Sequence, residues 1–356
     1  MKPIKITNAI KSIKTNHGIV HFPAFFPDAT CGFVKSVSSA DLRNAKVDGV
    51  VVNIYHLLKN NLIEMIAGKG GIHKHMNFNK PVISDSGGFQ VMSLIHRNPE
   101  LGRIEDDKIT FMLDKKRIVL TPEICIQLQL KIKSDIVMCL DDCTESSISQ
   151  QEQKSSVDRT IIWAKRCKHE FERLTKSTKN KPLIFAIVQG GEYKKLRKYC
   201  AQELLKIGFD GYSFGGWPVR KGKLLNGTLR YVSSLIPEGK PRYAMGIGKP
   251  QDIIDAAKMG YNMFDCVIPT RDARHKRLFI CKGKSQNSIN KISSINIRKK
   301  YFNMKPNCDC HFCRNYSVKD LHAFFRNDRK KAERLATIHN LRLYSRMMER
   351  LRKRQK

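Results

Sequence analysis

Eight short β-rich runs recur along the chain, each followed by a turn or helix signal. They centre on residues 22–27, 50–54, 81–84, 136–140, 183–188, 211–214, 242–246 and 263–267. Between several of them lie helical patterns; Val157, Ile161, Ala164, Phe171 and Leu174 mark one amphipathic face. Eight strands alternating with helices predict a (β/α)8 TIM-type barrel of the α/β class rather than an open sheet. More than 50 residues separate the third run from the fourth, so an insertion is expected at roughly 94–121.

In such a barrel, reacting groups come from the C-terminal ends of the strands. Asp85, Asp141, Gln189, Gly215, Met245 and Asp265 each fall at the end of a different run. Asp85 opens Asp85-Ser86-Gly87-Gly88-Phe89-Gln90, and Asp265 lies in Phe264-Asp265-Cys266-Val267-Ile268-Pro269-Thr270-Arg271. Two carboxylates delivered this way suggest covalent chemistry at a sugar carbon, one attacking and one moving protons. The alternative reading, a turn or helix cap, suits a lone Asp better than this pair.

Charge points to the partner. The 356 residues carry a formal net charge of +34, and residues 270–356 hold 25 Lys and Arg against 6 Asp and Glu. A polyanion, nucleic acid above all, is the expected ligand. Arg342, Arg346 and Arg350 are spaced by four and share one helix face, which suits a phosphate backbone. No apolar run reaches the length of a membrane span, and Met1-Lys2-Pro3-Ile4-Lys5 lacks a secretory apolar stretch, so a cytoplasmic enzyme is expected.

Cys308-Asp309-Cys310-His311-Phe312-Cys313 places three thiols in C-x-C-x-x-C spacing. His339, inside an apolar helical stretch, completes a structural zinc set of Cys308, Cys310, Cys313 and His339. His311 and His322 are rival fourth ligands. Four protein ligands leave no open position, so this Zn2+ serves folding rather than catalysis. Two parts are therefore expected: a catalytic barrel over residues 1–280, and a zinc-binding subdomain with a basic C-terminal helix, packed on the barrel, over 281–356.

The chain resembles the tRNA-guanine transglycosylases, or queuine tRNA-ribosyltransferases, of bacterial type. The matching stretches include Asn53-Ile54-Tyr55-His56-Leu57, Gly70-Gly71-Ile72-His73-Lys74, the two Asp motifs above, Val188-Gln189-Gly190-Gly191 and Tyr243-Ala244-Met245-Gly246. The resemblance implies exchange of guanine at the anticodon wobble position (G34) of tRNA for a 7-deazaguanine, preQ1 or queuine. Asp265 would be the nucleophile at ribose C1′ and Asp85 the general acid/base. Ser86, Phe89, Asp141, Gln189, Gly216 and Met245 would bind the base; Arg271 and Arg274 would grip the anticodon loop. A homodimer is implied, although the stretch 317–324 departs from the family pattern. A non-catalytic tRNA-binding partner subunit is the rival reading. Trp217-Pro218-Val219-Arg220-Lys221 also departs, and Lys221 is expected near the 7-substituent of the base.

Overall fold

The computed structural model describes residues 10–145, 148–281, 292–304 and 306–354. Eight strands form one parallel sheet: β1 (Ala24–Pro27), β2 (Val50–Asn53), β3 (Val82–Asp85), β4 (Ile136–Met138), β5 (Leu183–Val188), β6 (Gly211–Phe214), β7 (Arg242–Ala244) and β8 (Met263–Cys266). Their order is β1-β8-β7-β6-β5-β4-β3-β2. The two ends meet, because Asp28 bridges Val51 in parallel and the Ala29 amide donates to the Val51 carbonyl at 2.7 Å. The sheet is thus a closed barrel, and each predicted run supplies one strand.

Side chains alternate along these strands with period two. Ala24, Phe26, Ile83, Met138, Phe185 and Tyr243 point inward and fill the barrel. Phe25, Val137, Ile184 and Phe264 point outward and join helix residues such as Trp163 and Leu204 in a second core. Gly211 shows why size is matched across the interior. A Cβ there would lie 2.5 Å from the Phe185 ring.

The N-terminal end of the barrel is plugged by a hairpin, Ser12–Thr15 paired with Gly18–His21, which adds Val20 to the inner core. Asp135 ties it down. Its carboxylate accepts from the amides of His17 (3.0 Å) and Val82 (2.8 Å), and meets His17 Nδ1 at 2.9 Å and His73 Nε2 at 2.8 Å. The two imidazoles stack with centroids 3.4 Å apart.

The insertion after β3 is a helix, Gly88–Arg97, and a three-stranded antiparallel sheet of Gly102–Ile104, Ile109–Leu113 and Lys116–Leu120. The predicted amphipathic helix spans Gln150–Thr175 and starts at a Ser149/Glu152 capping box. Val157, Ala164 and Phe171 are buried as expected, whereas Leu174 in its last turn is exposed.

Beyond β8, a hairpin of Arg277–Cys281 and Ile292–Asn296 leads into three helices, His311–Asn315, Val318–Asn327 and Arg329–Arg352. Of the polar run 282–305, residues 282–291 and 305 lie outside the described residues. The last helix joins several cores, with Leu341 packed among Val50, Val52 and Ile132. Leu335 and Ile338 pack with Phe312 and Leu321, while Tyr344, Met347, Met348 and Leu351 pack into the barrel's outer core. No helix among the described residues is long and apolar enough to cross a membrane.

Candidate active site and metal centre

A cavity of about 560 Å³ opens at the C-terminal end of the barrel. Asp85, Phe89, Asp141, Gly216, Met245 and Asp265 line it, so residues far apart in sequence share one wall. Asp85 ends β3, and the parallel register sets it opposite Asn53 of β2. The Asn53 amide donates to Asp85 Oδ2 at 2.6 Å and to Gln90 Oε1 at 3.0 Å. The chain then turns sharply. Gly87 adopts φ +79°, and a Cβ there would sit 2.5 Å from the Tyr55 amide nitrogen, so the turn requires glycine.

Asp265 opens on the cavity from β8. Its Oδ1 accepts the Gly246 amide at 2.9 Å, and the buried Tyr243 hydroxyl also donates to this carboxylate. Loss of hydration raises its pKa to about 6; these two donors lower it, while the Asp85 and Asp28 charges push it up. Asp85 is raised to about 6, chiefly by burial against the opposing pull of Asn53 and the Gly87 and Ser86 amides. Asp141 reaches about 7: burial raises it, Gln189 lowers it, and Asp85 and Asp142 raise it further. Three carboxyls are thus poised to exchange protons near neutrality.

Two predicted base contacts stand behind the wall. Ser86 is buried, and its hydroxyl accepts the Gly88 amide at 3.2 Å. Gln189 is buried too and donates through Nε2 to Asp141 Oδ2 at 2.6 Å. Both therefore shape the groups around them in this state of the protein. Phe89 and Met245 line the cavity, and Trp217 meets Phe89 edge to face with ring centroids 5.1 Å apart. Asn53 and Tyr243 were not singled out from the sequence, although both sit inside the long motifs, which was the available signal. Trp217 belongs to the stretch that departs from the family pattern, and the structure puts it against Phe89.

Lys221 does not occupy the place expected of it. It sits at φ +47° on the tip between Val219–Arg220 and Lys223–Leu224, exposed and off the cavity wall. The cause is the short hairpin, closed by the Leu225 amide donating to the Pro218 carbonyl at 2.9 Å. Trp217, Pro218 and Val219 face the cavity instead.

The metal set converges. The ligand atoms of Cys308, Cys310, Cys313 and His339 all lie within 4.8 Å of one another. His339 Nδ1 is 3.2 Å from Cys313 Sγ and 3.5 Å from Cys310 Sγ, and Nε2 meets the Phe279 carbonyl at 2.8 Å. That outer contact orients the ring and leaves Nδ1 for the metal. The donor set fits a tetrahedral ion. The rivals are engaged elsewhere: His311 contacts Asn315, and His322 packs on Phe302.

Arg271 and Arg274 ride the helix Ile268–Arg274, directly after β8. The arginine stripe needs correction. Arg342 is 4% exposed, and its guanidinium holds Asp309 (2.8 Å, twice) and Glu349 (2.7 Å). It is a strut between the cysteine loop and the last helix, unavailable to a phosphate. Arg346 donates to the Asn307 carbonyl at 2.6 Å, and Arg350 lies against Cys281 at 3.8 Å.

Comparison with known proteins agrees with this geometry. The queuine tRNA-ribosyltransferase family profile matches residues 8–355. A queuine tRNA-ribosyltransferase from Psychrobacter sp. (strain PRwf-1) is 38% identical over 344 residues, covering 96% of this chain and 88% of its own length. Those from Acinetobacter baumannii (strain ATCC 17978) and Acinetobacter baylyi are each 38% identical over 340 residues, covering 94% of this chain and 87% and 85% of theirs. With a closed barrel, a cavity lined by three carboxyls and this extent of similarity, the chain belongs to the queuine tRNA-ribosyltransferase family, enzymes that modify guanine in tRNA on the queuosine pathway.

Proposed function

We propose that the protein exchanges guanine at G34 of tRNA for a 7-deazaguanine, preQ1 or queuine, by double displacement. The observation that carries this reading is the pair Asp85 and Asp265, which line one cavity at the C-terminal end of the barrel, each with a pKa of about 6. An ionised Asp265 attacks ribose C1′ as the C1′–N9 bond breaks, and a protonated Asp85 gives its proton to the departing guanine. Asp85 then removes a proton from the incoming base, whose nitrogen attacks C1′ and returns Asp265 to its free carboxylate. Two inversions give net retention. Asp85 gives one proton to the departing guanine and regains one from the incoming base, so the cycle closes with neither ATP nor a redox cofactor.

Asp141, with a pKa of about 7, takes the polar edge of the base, helped by Gln189 and the Gly216 backbone. Phe89 and Met245 cover the ring faces. The reacting nucleotide must leave its stack to enter the cavity. Arg271 and Arg274 hold the flanking loop, with Arg346 and Arg350 as outer phosphate contacts. Cys308, Cys310, Cys313 and His339 would hold Zn2+, which when bound staples the subdomain to the last helix. A homodimer through the helix Val318–Asn327 belongs to the same reading.

Incubation with unmodified tRNA and labelled guanine tests the proposal, and label should enter at position 34 only. Binding of tRNA without incorporation would favour the non-catalytic partner instead. Metal analysis should return about one zinc per chain, and a metal-free protein of unchanged thermal stability would remove the zinc assignment.

A further inference from the structure

A fourth carboxylate stands at the catalytic end of the barrel, outside the set just described. Asp28 extends β1 by one residue. Asp265 pairs with Phe26 and Cys266 with Pro27, and Asp28 itself bridges Val51 of the next strand. Strand alternation turns Asp28 to the same side as Phe26, which fills the barrel interior. Asp28 therefore sits above the inner core, between β2 and β8, one step from the nucleophile. Its negative charge is felt at Asp265.

Half of this carboxylate has a structural task. Oδ1 accepts the Thr30 amide at 2.9 Å and the Thr30 hydroxyl, closing a turn. Oδ2 accepts no hydrogen bond among the described residues. Nearby is a second group with an unmet need. Arg274 buries its Nη1, and that nitrogen has no hydrogen-bond partner among the described residues. The Asp28 and Arg274 charges interact, yet among the described residues they form no ion pair. One thus keeps an unused acceptor and the other an unused donor, the complement of a group that donates to the first and accepts from the second.

We propose that Asp28 and Arg274 form a ribose–phosphate subsite beside the nucleophile. Asp28 Oδ2 accepts from the 2′-hydroxyl of the nucleotide under attack, and Arg274 Nη1 donates to the adjoining phosphodiester. This inference rests on the base-exchange reading. The 2′-hydroxyl becomes a stronger donor as positive charge grows at C1′, so its bond to a carboxylate tightens in the transition state. A carboxylate there also separates RNA from DNA, which differ at that hydroxyl.

The test pairs two RNA stem-loops, one ribo throughout and one with a single 2′-deoxy substitution at the reacting nucleotide. The readout is kcat/KM for labelled guanine incorporation. Wild-type protein should prefer the ribo substrate by about 10- to 100-fold, the range for one hydrogen bond to a charged group. Asp28→Ala should bring that ratio down at least roughly tenfold. Asp28→Asn keeps an oxygen for the Thr30 turn but replaces the free acceptor, and should lower the ratio at least roughly threefold. It also carries the test if the Ala variant fails to fold. A wild-type protein indifferent to the 2′-hydroxyl, or a folded variant with the wild-type ratio, would overturn the subsite. Wild-type protein that incorporates guanine into neither stem-loop would instead overturn the base-exchange reading beneath it.

Discussion

The two ends of the barrel bury the same kind of group and treat it in opposite ways. At the N-terminal end, burial pushes the Asp135 carboxyl up, but His73, the Val82 amide and His17 outweigh it, and its pKa is lowered. Two amides and two imidazoles surround its two oxygens. At the C-terminal end, Asp85, Asp141 and Asp265 have fewer donors and, among the described residues, no ion-pair partner; the Asp85 charge also acts on the other two, and all three rise to between about 6 and 7. A buried carboxylate with all its partners stabilises; one kept short of partners is available for chemistry. The difference lies in which donors each strand end meets, not in residue type.

The largest test of that contrast is Asp265→Asn. Turnover should fall by roughly 10⁴-fold or more, since an amide is a poor nucleophile. Thermal stability should hold or rise, because a buried charge has been removed. Denaturation scans beside guanine-exchange assays check both, and near wild-type exchange would refute the mechanism. Next comes Asp135→Ala, which strands two imidazoles and two amides. It should cost about 3–5 kcal/mol, read as a lower urea midpoint. Asp141→Asn, at the other end, should leave the midpoint at pH 7 unchanged or higher. Equal losses from the two would break the comparison.

The smallest effect is in pH. Asp85, Asp141 and Asp265 have folded pKa values above the ordinary 3.8, so the folded state holds protons that the unfolded chain releases. Their contribution is fully present below about pH 4 and is lost as pH rises through about 6–7. Asp135 is lowered, so its contribution is present above about pH 4 and lost as pH falls through its folded value. Replacing Asp141 with Asn should therefore flatten the decline in stability between about pH 4 and 7 by about 1–3 kcal/mol. Urea melts at four pH values would show it, and an unaltered slope would mean that Asp141 is ionised throughout.

The barrel was legible because each strand is a short apolar run, and Asp85, Asp141, Gln189, Met245 and Asp265 sit at or just past the ends of such runs. The metal set was legible because C-x-C-x-x-C is a local spacing. Arg342 misled because a four-residue spacing places arginines on one helix face without saying what that face meets. The face meets Asp309, 33 residues earlier, and Glu349. Lys221 misled in the same way, since a hairpin two residues wide turned it outward.

From the chain alone came the strand count, the residues at the strand ends and the thiolate spacing. These depend on local periodicity and on the residue types that reaction or metal chemistry requires. The tertiary structure decided the partners. Asn53 reaches Asp85, Tyr243 reaches Asp265, and Asp28 stands beside the nucleophile only because β2 pairs with β3, β7 with β8 and β8 with β1. Which donors surround a carboxylate, and so whether it stabilises the fold or reacts, follows from strand neighbours brought together by closure of the barrel.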